Sequence, residues 1–454
     1  MIVAKFGGTS VGDAAAITRT VGIVRAAVPR QPVVVVSALA GATNTLLEIA
    51  DRAGEGQLLV AIRQIEDLRD RHLQVARELL DGMGDGADTL AEIGALFDEL
   101  AHLAEALSVL GDVTPRSRDA MAATGELCSV PLVTAALQRC GVNAVPVDAR
   151  DVMRTDDRFG RAEPMIEEIQ AAAQEHVLPA LKGGQVPVLG GYIGATATGI
   201  TTTLGRGGSD LSAALLGAAL GAEAIEIWTD VDGILTADPR VVKEARPIEE
   251  IRFDEASELA SFGAKVLHPS TIAPAVKKGI PVYVFNSHRP EGKGTRITFD
   301  APAPRNGVRA VAAKSSVVMV RVRSPRMLHA HGVLRAIFEV FERNRTSVDV
   351  DATSEISVSV TLDAAERLEA VVAELSAFGD VTVERNRGVV ALVGAGLGAS
   401  TPAMARALAA LGNVKVHMCS LSATGINLTI VVDGNKVNDA MRRLHGEFFG
   451  ADRA

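Results

Sequence analysis

TTTLGRGGSD, residues 201–210, is the stretch on which the fold turns. It holds three threonines, three glycines, a serine, an arginine and an aspartate, and an apolar run, LSAALLGAALGA, follows at once. Glycines let a backbone approach a ligand closely, and the first N–H groups of a helix bind anions. The same residues also make a plain tight turn between two buried elements. The flanks settle the local structure, though not the function. VPVLGGYI before the stretch and AIEIWTD after it are short, apolar and β-branched, as strands buried on both faces are.

That rhythm runs from the N-terminus to about residue 300. IVAKF, VVVVSA, NAVPVD and VYVFNS read as further strands, with AAAITRTVGIVRAAV and EPMIEEIQAAAQEHVLPAL as helices between them. Such alternation predicts an α/β fold over 1–300, an open, mostly parallel sheet sandwiched by helices. Residues 48–110 are helical and charged, so they read as a helical excursion from the sheet. APAPRNG at 301–307 marks a linker, here drawn as 301–314. Beyond it, 315–386 reads as an α+β βαββαβ module, and 387–454 repeats it without a closing strand. GVRAVAA, just after the linker prolines, is placed to supply that strand. Tandem modules of this type are small-ligand regulators more often than catalysts.

The composition narrows the partners. A chain of 454 residues suggests about three domains at roughly 150 residues each. With 48% hydrophobic and only 3% aromatic residues, the cores are built from Ala, Val, Leu and Ile. A net charge of -9 speaks against nucleic acid as the main partner. Cys128, Cys140 and Cys419 are odd in number and far apart, which suits a reducing compartment better than a disulfide framework. MIVAKFGGTS has no signal-peptide core, and no apolar run reads as a membrane span. The expectation is a soluble, cytoplasmic protein that binds no membrane.

Several stretches carry candidate chemistry. In KFGGTSV, residues 5–11, Lys5 ends a buried strand, Gly7 and Gly8 allow close approach to a ligand, and Thr9 and Ser10 are suited to cap a helix. VVVVSALAGATN repeats the logic with Ser37 and Thr43. TGELCS places Glu126 at a helix start, and WTDVDGILTADPR carries Asp230, Asp232 and Asp238 into a loop. FGAKVLHP holds Lys265 and His268. Each has a plain reading too, as turn former, cap or satisfied core side chain. A Walker loop is absent, and GAGLGA at 394–399 lacks the acid that a dinucleotide site needs. The histidines form no metal cluster, so no protein metal site is expected. Two glycine loops beside basic side chains suit the two sides of a polyanion, and hence phosphoryl transfer.

Taken together, KFGGTSV, TTTLGRGGSD, WTDVDGILTADPR and FGAKVLHP resemble the aspartate kinases of the amino-acid kinase superfamily, which carry two C-terminal ACT modules. The resemblance covers essentially the whole chain. It implies transfer of the γ-phosphoryl group of ATP to the side-chain carboxylate of L-aspartate, the first step toward lysine, threonine and methionine. By motif, Lys5 would stabilise the transferring phosphoryl group and Asp210 would orient Lys5. Arg206 would grip a substrate carboxylate and Glu126 the substrate amine. Ser37, Thr43, Tyr192 and Ser209 would complete that pocket. Gly7, Gly8, Thr229, Asp230, Arg240 and Lys265 would hold the nucleotide, with Mg²⁺ carried mainly on ATP oxygens and water.

Leu235 stands where relatives often have a tyrosine in the nucleotide loop. RMLHAHGVL and SVDVDATSE resemble the effector site of lysine-sensitive members, implicating Met327, His329, Gly332, Leu334, Ser347, Val348, Asp349, Ser354 and Glu355. Ala330 replaces a small hydroxyl residue there, leaving lysine, threonine or both as the effector. Family ACT modules pair sheet to sheet, which implies a homodimer or a larger homo-oligomer. The alternatives are a kinase of another acid on the same fold, or a non-catalytic amino-acid sensor. Glu126 with Arg206 argues against the first, and Lys5 with Asp210 against the second.

Overall fold

The computed structural model describes residues 1–80, 86–262, 269–304, 306–328, 330–363 and 367–450. In chain order the first half contains β1 (Ile2–Phe6), α1 (Ala14–Ala27), β2 (Pro32–Val36), α2 (Ala42–Gly54), α3 (Leu58–Leu80), α4 (Gly86–Leu110), α5 (Pro115–Arg139), β3 (Ala144–Pro146), α6 (Ala149–Val152), α7 (Ile166–His176), α8 (Leu178–Lys182), β4 (Val186–Gly190), β5 (Ile193–Ala195), β6 (Thr201–Thr203), α9 (Gly208–Leu220) and β7 (Ala224–Thr229). There follow β8 (Glu250–Arg252), α10 (Phe253–Ser261), α11 (Pro269–Lys278), β9 (Val282–Asn286) and β10 (Thr295–Thr298). The last part holds β11 (Ala310–Arg323), α12 (Val333–Arg343), β12 (Val350–Ser354), β13 (Ser357–Leu362), α13 (Leu368–Leu375), β14 (Asp380–Val393), α14 (Thr401–Ala410), β15 (Val416–Leu421), β16 (Asn427–Asp433) and α15 (Val437–Phe449).

The chain divides into two compact units, Met1–Ile234 with Val266–Phe299, and Leu235–Lys265 with Asp300–Ala454. In the first unit the strands of the main sheet lie in the order β3-β4-β2-β1-β7-β9-β10. All are parallel except β10, which runs against β9. Every residue of β1, β2 and β4 is buried, which is why these strands read as unbroken apolar runs. β2 lies on one side of β1 and β7 on the other. In open sheets the crevice for a ligand opens at such a reversal, beyond the carboxyl ends of the strands.

The excursion from the sheet is the helical layer α2–α5, whose core includes Leu46, Ile49, Ile65, Ile93, Phe97 and Leu132. Three details differ from expectation. Glu126 stands in the middle of α5, not at a helix start: Thr114 caps α5 and Pro115 opens it, twelve residues' worth of sequence ahead of the position expected. Asp13, not Thr9 or Ser10, caps α1, accepting from Ala16 N–H at 2.7 Å. And α5 is long and apolar enough to cross a membrane by length and composition, yet 78% of that apolar stretch is buried, so it is a core helix.

In the second unit a six-stranded sheet runs β12-β13-β11-β14-β16-β15. β11 and β14 are each 14 residues long and serve both βαββαβ modules. Val317–Arg323 pairs with the start of β14 in the first module, and Ala310–Ser315 pairs with Gly388–Val393, closing the second. Ser316 (φ 68°) and Asn386 (φ 57°) mark where the two strands pass from one module to the other. Leu235–Lys265, read from sequence as part of the 1–300 domain, packs with this unit. Ala237 and Val242 enter the core with Val390 and Leu428. Fully buried Glu255 accepts from Arg309 Nε at 3.2 Å and from Ala395 N–H at 2.8 Å.

Candidate active site

β1 carries Lys5 to the carboxyl edge of the sheet almost out of reach of solvent. Its Nζ lies 2.6 Å from Asp210 Oδ1, in the first turn of α9. A carboxylate at a helix N-terminus also meets the favourable end of the helix dipole. The pair opens onto a cavity of about 590 Å³ lined by Gly8, Ser37, Thr43, Glu126, Tyr192, Arg206 and Ser209 among others. The stretch 201–210 makes the tight turn it suggested. Gly205 and Gly207 take left-handed turns (φ 74° each) into α9, and the turn delivers Arg206, Ser209 and Asp210 to one pocket.

Glu126 is the unusual group there. It is 2% exposed, and Ala38 N–H donates to Oε1 at 3.1 Å. Oε2 has no partner among the described residues. Burial pushes this carboxyl up to about 8, against the pull of the Ala38 N–H and of Lys5. A buried acid with one unsatisfied oxygen beside a cavity is suited to receive a cationic group. Arg206 is exposed at the rim. Tyr192 has φ 66° and is held by its N–H donating to Ser212 Oγ at 3.0 Å, while burial raises its phenol above the usual range.

The residues expected to hold a nucleotide fall in both units. Gly7 N–H donates to Trp228 O at 3.0 Å, so the KFGG turn is tied to the end of β7. Thr229 and Asp230 continue from that strand end, Thr229 Oγ1 donating to Asp230 Oδ1 at 3.3 Å. Arg240 lies in the second unit, engaged by Asp238 through Nε–Oδ1 (3.0 Å) and Nη2–Oδ2 (2.7 Å). Lys265 lies outside the described residues, as does His329. Asp232 holds Asn286 and Arg289.

The expected effector residues fall into two groups. Met327, Gly332, Leu334, Ser354 and Glu355 sit at the end of the first module where β11 stops and the β12–β13 hairpin turns. Ser347, Val348 and Asp349 sit at the opposite end, across β12, about 20 Å away at ~3.3 Å per residue. Asp349 is 3.6 Å from Lys314 Nζ, and partial burial pushes its carboxyl up to about 6 against that pull.

Sequence reasoning missed Asp119, which is buried on α5 and accepts four hydrogen bonds near the pocket. The available signal was its spacing: seven residues before Glu126, it falls on the same helix face.

A mostly parallel sheet with a lysine–aspartate pair at its carboxyl edge, beside a cavity lined by Arg206 and the buried Glu126, offers a cation to a phosphoryl group and an opposed charge pair to a small zwitterion. The amino acid kinase family model matches residues 1–286, and the ACT domain model matches residues 390–448. The chain is 39% identical to lysine-sensitive aspartokinase 3 of Escherichia coli (strain K12), over 99% of each chain. It is 34% identical to the chloroplastic aspartokinase 3 of Arabidopsis thaliana, covering 99% of this chain and 82% of that one. Among solved structures, E. coli aspartokinase III with aspartate and ADP is similar at a TM-score of 0.84 and 37% identity, over 99% of this chain and 100% of that one. The same enzyme with lysine and aspartate gives a TM-score of 0.82 at 37% identity, over 99% of both chains. The chain belongs to the amino acid kinase family and, within it, to the aspartokinases.

Proposed function

We propose that this chain transfers the γ-phosphoryl group of ATP to the side-chain carboxylate of L-aspartate, giving 4-phospho-L-aspartate and ADP. The observation that carries the reading is Glu126, a buried carboxylate with one oxygen unpaired among the described residues, facing the cavity that also holds Lys5 and Arg206. Its partner would be the substrate ammonium. Arg206 would take the α-carboxylate in a bidentate fork, which a planar guanidinium does better than an ammonium. These two contacts turn the side-chain carboxylate toward Lys5. A carboxylate oxygen attacks the γ-phosphorus, the bond to the β,γ-bridging oxygen breaks, and ADP leaves with that electron pair. The nucleophile is already ionised, so no base is required. Lys5, oriented by Asp210, neutralises charge on the phosphoryl oxygens.

Mg²⁺ would be carried on the phosphate oxygens, where it would neutralise phosphate charge. Trapping the product with hydroxylamine tests the assignment. Aspartate hydroxamate should form only with ATP and aspartate together; hydroxamate of another acid in its place would overturn the reading.

We further infer that lysine is the effector and that the chain works as a homo-oligomer. The similar E. coli enzyme is lysine-sensitive and has been solved with lysine. The two groups of effector residues stand too far apart in one module for one amino acid to touch both, which supports a site shared between two copies. Titrating lysine and threonine separately into the assay distinguishes the effectors.

A further inference from the structure

We propose that Asp119 is a positioning residue that sets the place of Arg206, and with it the affinity for the substrate carboxylate. This rests on the reading of Arg206 as the aspartate clamp. Arg206 is on an exposed turn, and something must hold that turn in place for a fork to be useful. Asp119 is 3% exposed and accepts from the two segments that frame the turn. Gly160 N–H donates to Oδ2 at 2.8 Å and to Oδ1 at 3.0 Å. Thr203 N–H donates to Oδ2 at 2.9 Å, and Thr203 Oγ1 to Oδ1 at 2.8 Å.

The two segments are also joined to one another. Ala162 N–H donates to Thr203 O at 2.9 Å, and Gly205 lies against Gly160, where a Cβ would stand 3.2 Å from the carbonyl oxygen. Arg206 is the next residue. Leu204 N–H donates to Tyr192 O at 2.9 Å, and Tyr192 lines the same cavity. Asp119 and Glu126 occupy one face of one helix, two turns apart. α5 therefore holds both the partner of the substrate amine and the anchor of the carboxylate clamp at a set separation.

Asn at this position keeps the shape but turns an amide N–H₂ toward backbone N–H donors, so at least one hydrogen bond is lost and the turn loosens. For Asp119→Asn we expect the KM for aspartate to rise about tenfold or more, with kcat and the KM for ATP within roughly threefold. Combined with Arg206→Ala, it should add little, because residues acting through one contact are not additive. Two results overturn the proposal: an unchanged KM in Asp119→Asn where Arg206→Ala raises it, and full additivity of the two effects. An unchanged KM in Arg206→Ala itself refutes the clamp, and so the substrate reading beneath. If Asp119→Asn does not fold, Thr203→Val and Thr203→Ser decide. Valine should raise the KM for aspartate while serine, which keeps the hydroxyl, restores it; equal effects of the two would also overturn the proposal.

Discussion

Lys5 shows how little a single residue says until its neighbours are known. An ammonium taken out of water at the end of a buried strand is costly, and the Asp210 carboxylate at 2.6 Å offsets that cost. Removing the cation should strip stabilisation from the transition state more than from bound aspartate. We expect Lys5→Ala to lower kcat by about 10²–10³-fold with the KM for aspartate changed less, measured by steady-state kinetics. Glu126 makes a second, pH-dependent prediction. The folded pocket holds its proton up to about 8, while the unfolded chain releases it near 4.5. Below 4.5 both states are protonated and the full stability is present; as pH rises through that window to about 8, stability is lost. Ligand-free Glu126→Gln should escape this loss, so its thermal midpoint should rise relative to the parent from pH ~5 to ~9. An ammonium beside Glu126 favours the ionised form, so the KM for aspartate should fall as pH approaches about 8.

At the scale of the element, α5 is the part that works as one body. It brings Glu126 to the pocket because Gly125 lets it lie against β2's extension at Ala38. A Cβ on Gly125 would stand 2.7 Å from Ala38 Cβ and 3.3 Å from Leu46 Cδ1. Gly125→Ala gains about 1 kcal/mol of helix propensity, but the overlap costs about 1–3 kcal/mol and pries Glu126 from the Ala38 N–H. The expected outcome is a lower urea midpoint together with a raised KM for aspartate. In the second unit, α10 plays the corresponding part through Glu255. That carboxylate is fully buried, and its loss leaves the Arg309 guanidinium short of a partner. Glu255→Ala should cost about 3–5 kcal/mol, read as an earlier unfolding transition by calorimetry.

At the scale of the whole molecule, the question is how an effector module serves a kinase. The first module presents the expected effector residues at opposite ends of β12, and the proposed shared site makes assembly testable. We expect Asp349→Ala to raise the lysine concentration for half-inhibition about tenfold or more while uninhibited turnover stays within roughly twofold. Sedimentation should show the parent chain as a dimer or larger species in the presence of lysine; inhibition of a strict monomer would refute the shared site.

Much of this was legible in the chain itself. Strands buried on both faces are unbroken apolar runs, so β1, β2, β4, β7 and β9 could be read directly. The chemistry-bearing turns are local, so Lys5, Ser37, Arg206 and Asp210 could be named from their own few neighbours. Asp119 escaped because its partners, Gly160 and Thr203, are remote in sequence. Glu126 was named but set at a helix start, although the Thr114 cap twelve residues earlier and Pro115 after it mark the real one in the sequence itself. The packing of Ala237 and Val242 into the core of the second unit was hidden among turn formers, since only the fold shows which core they enter. Sequence alone determined the class of chemistry and the order of the elements, because both rest on local pattern. The tertiary structure decided the Lys5–Asp210 pair, the raised Glu126 carboxyl and the anchored Arg206 turn, because burial and hydrogen bonding between distant segments are properties of the packed chain.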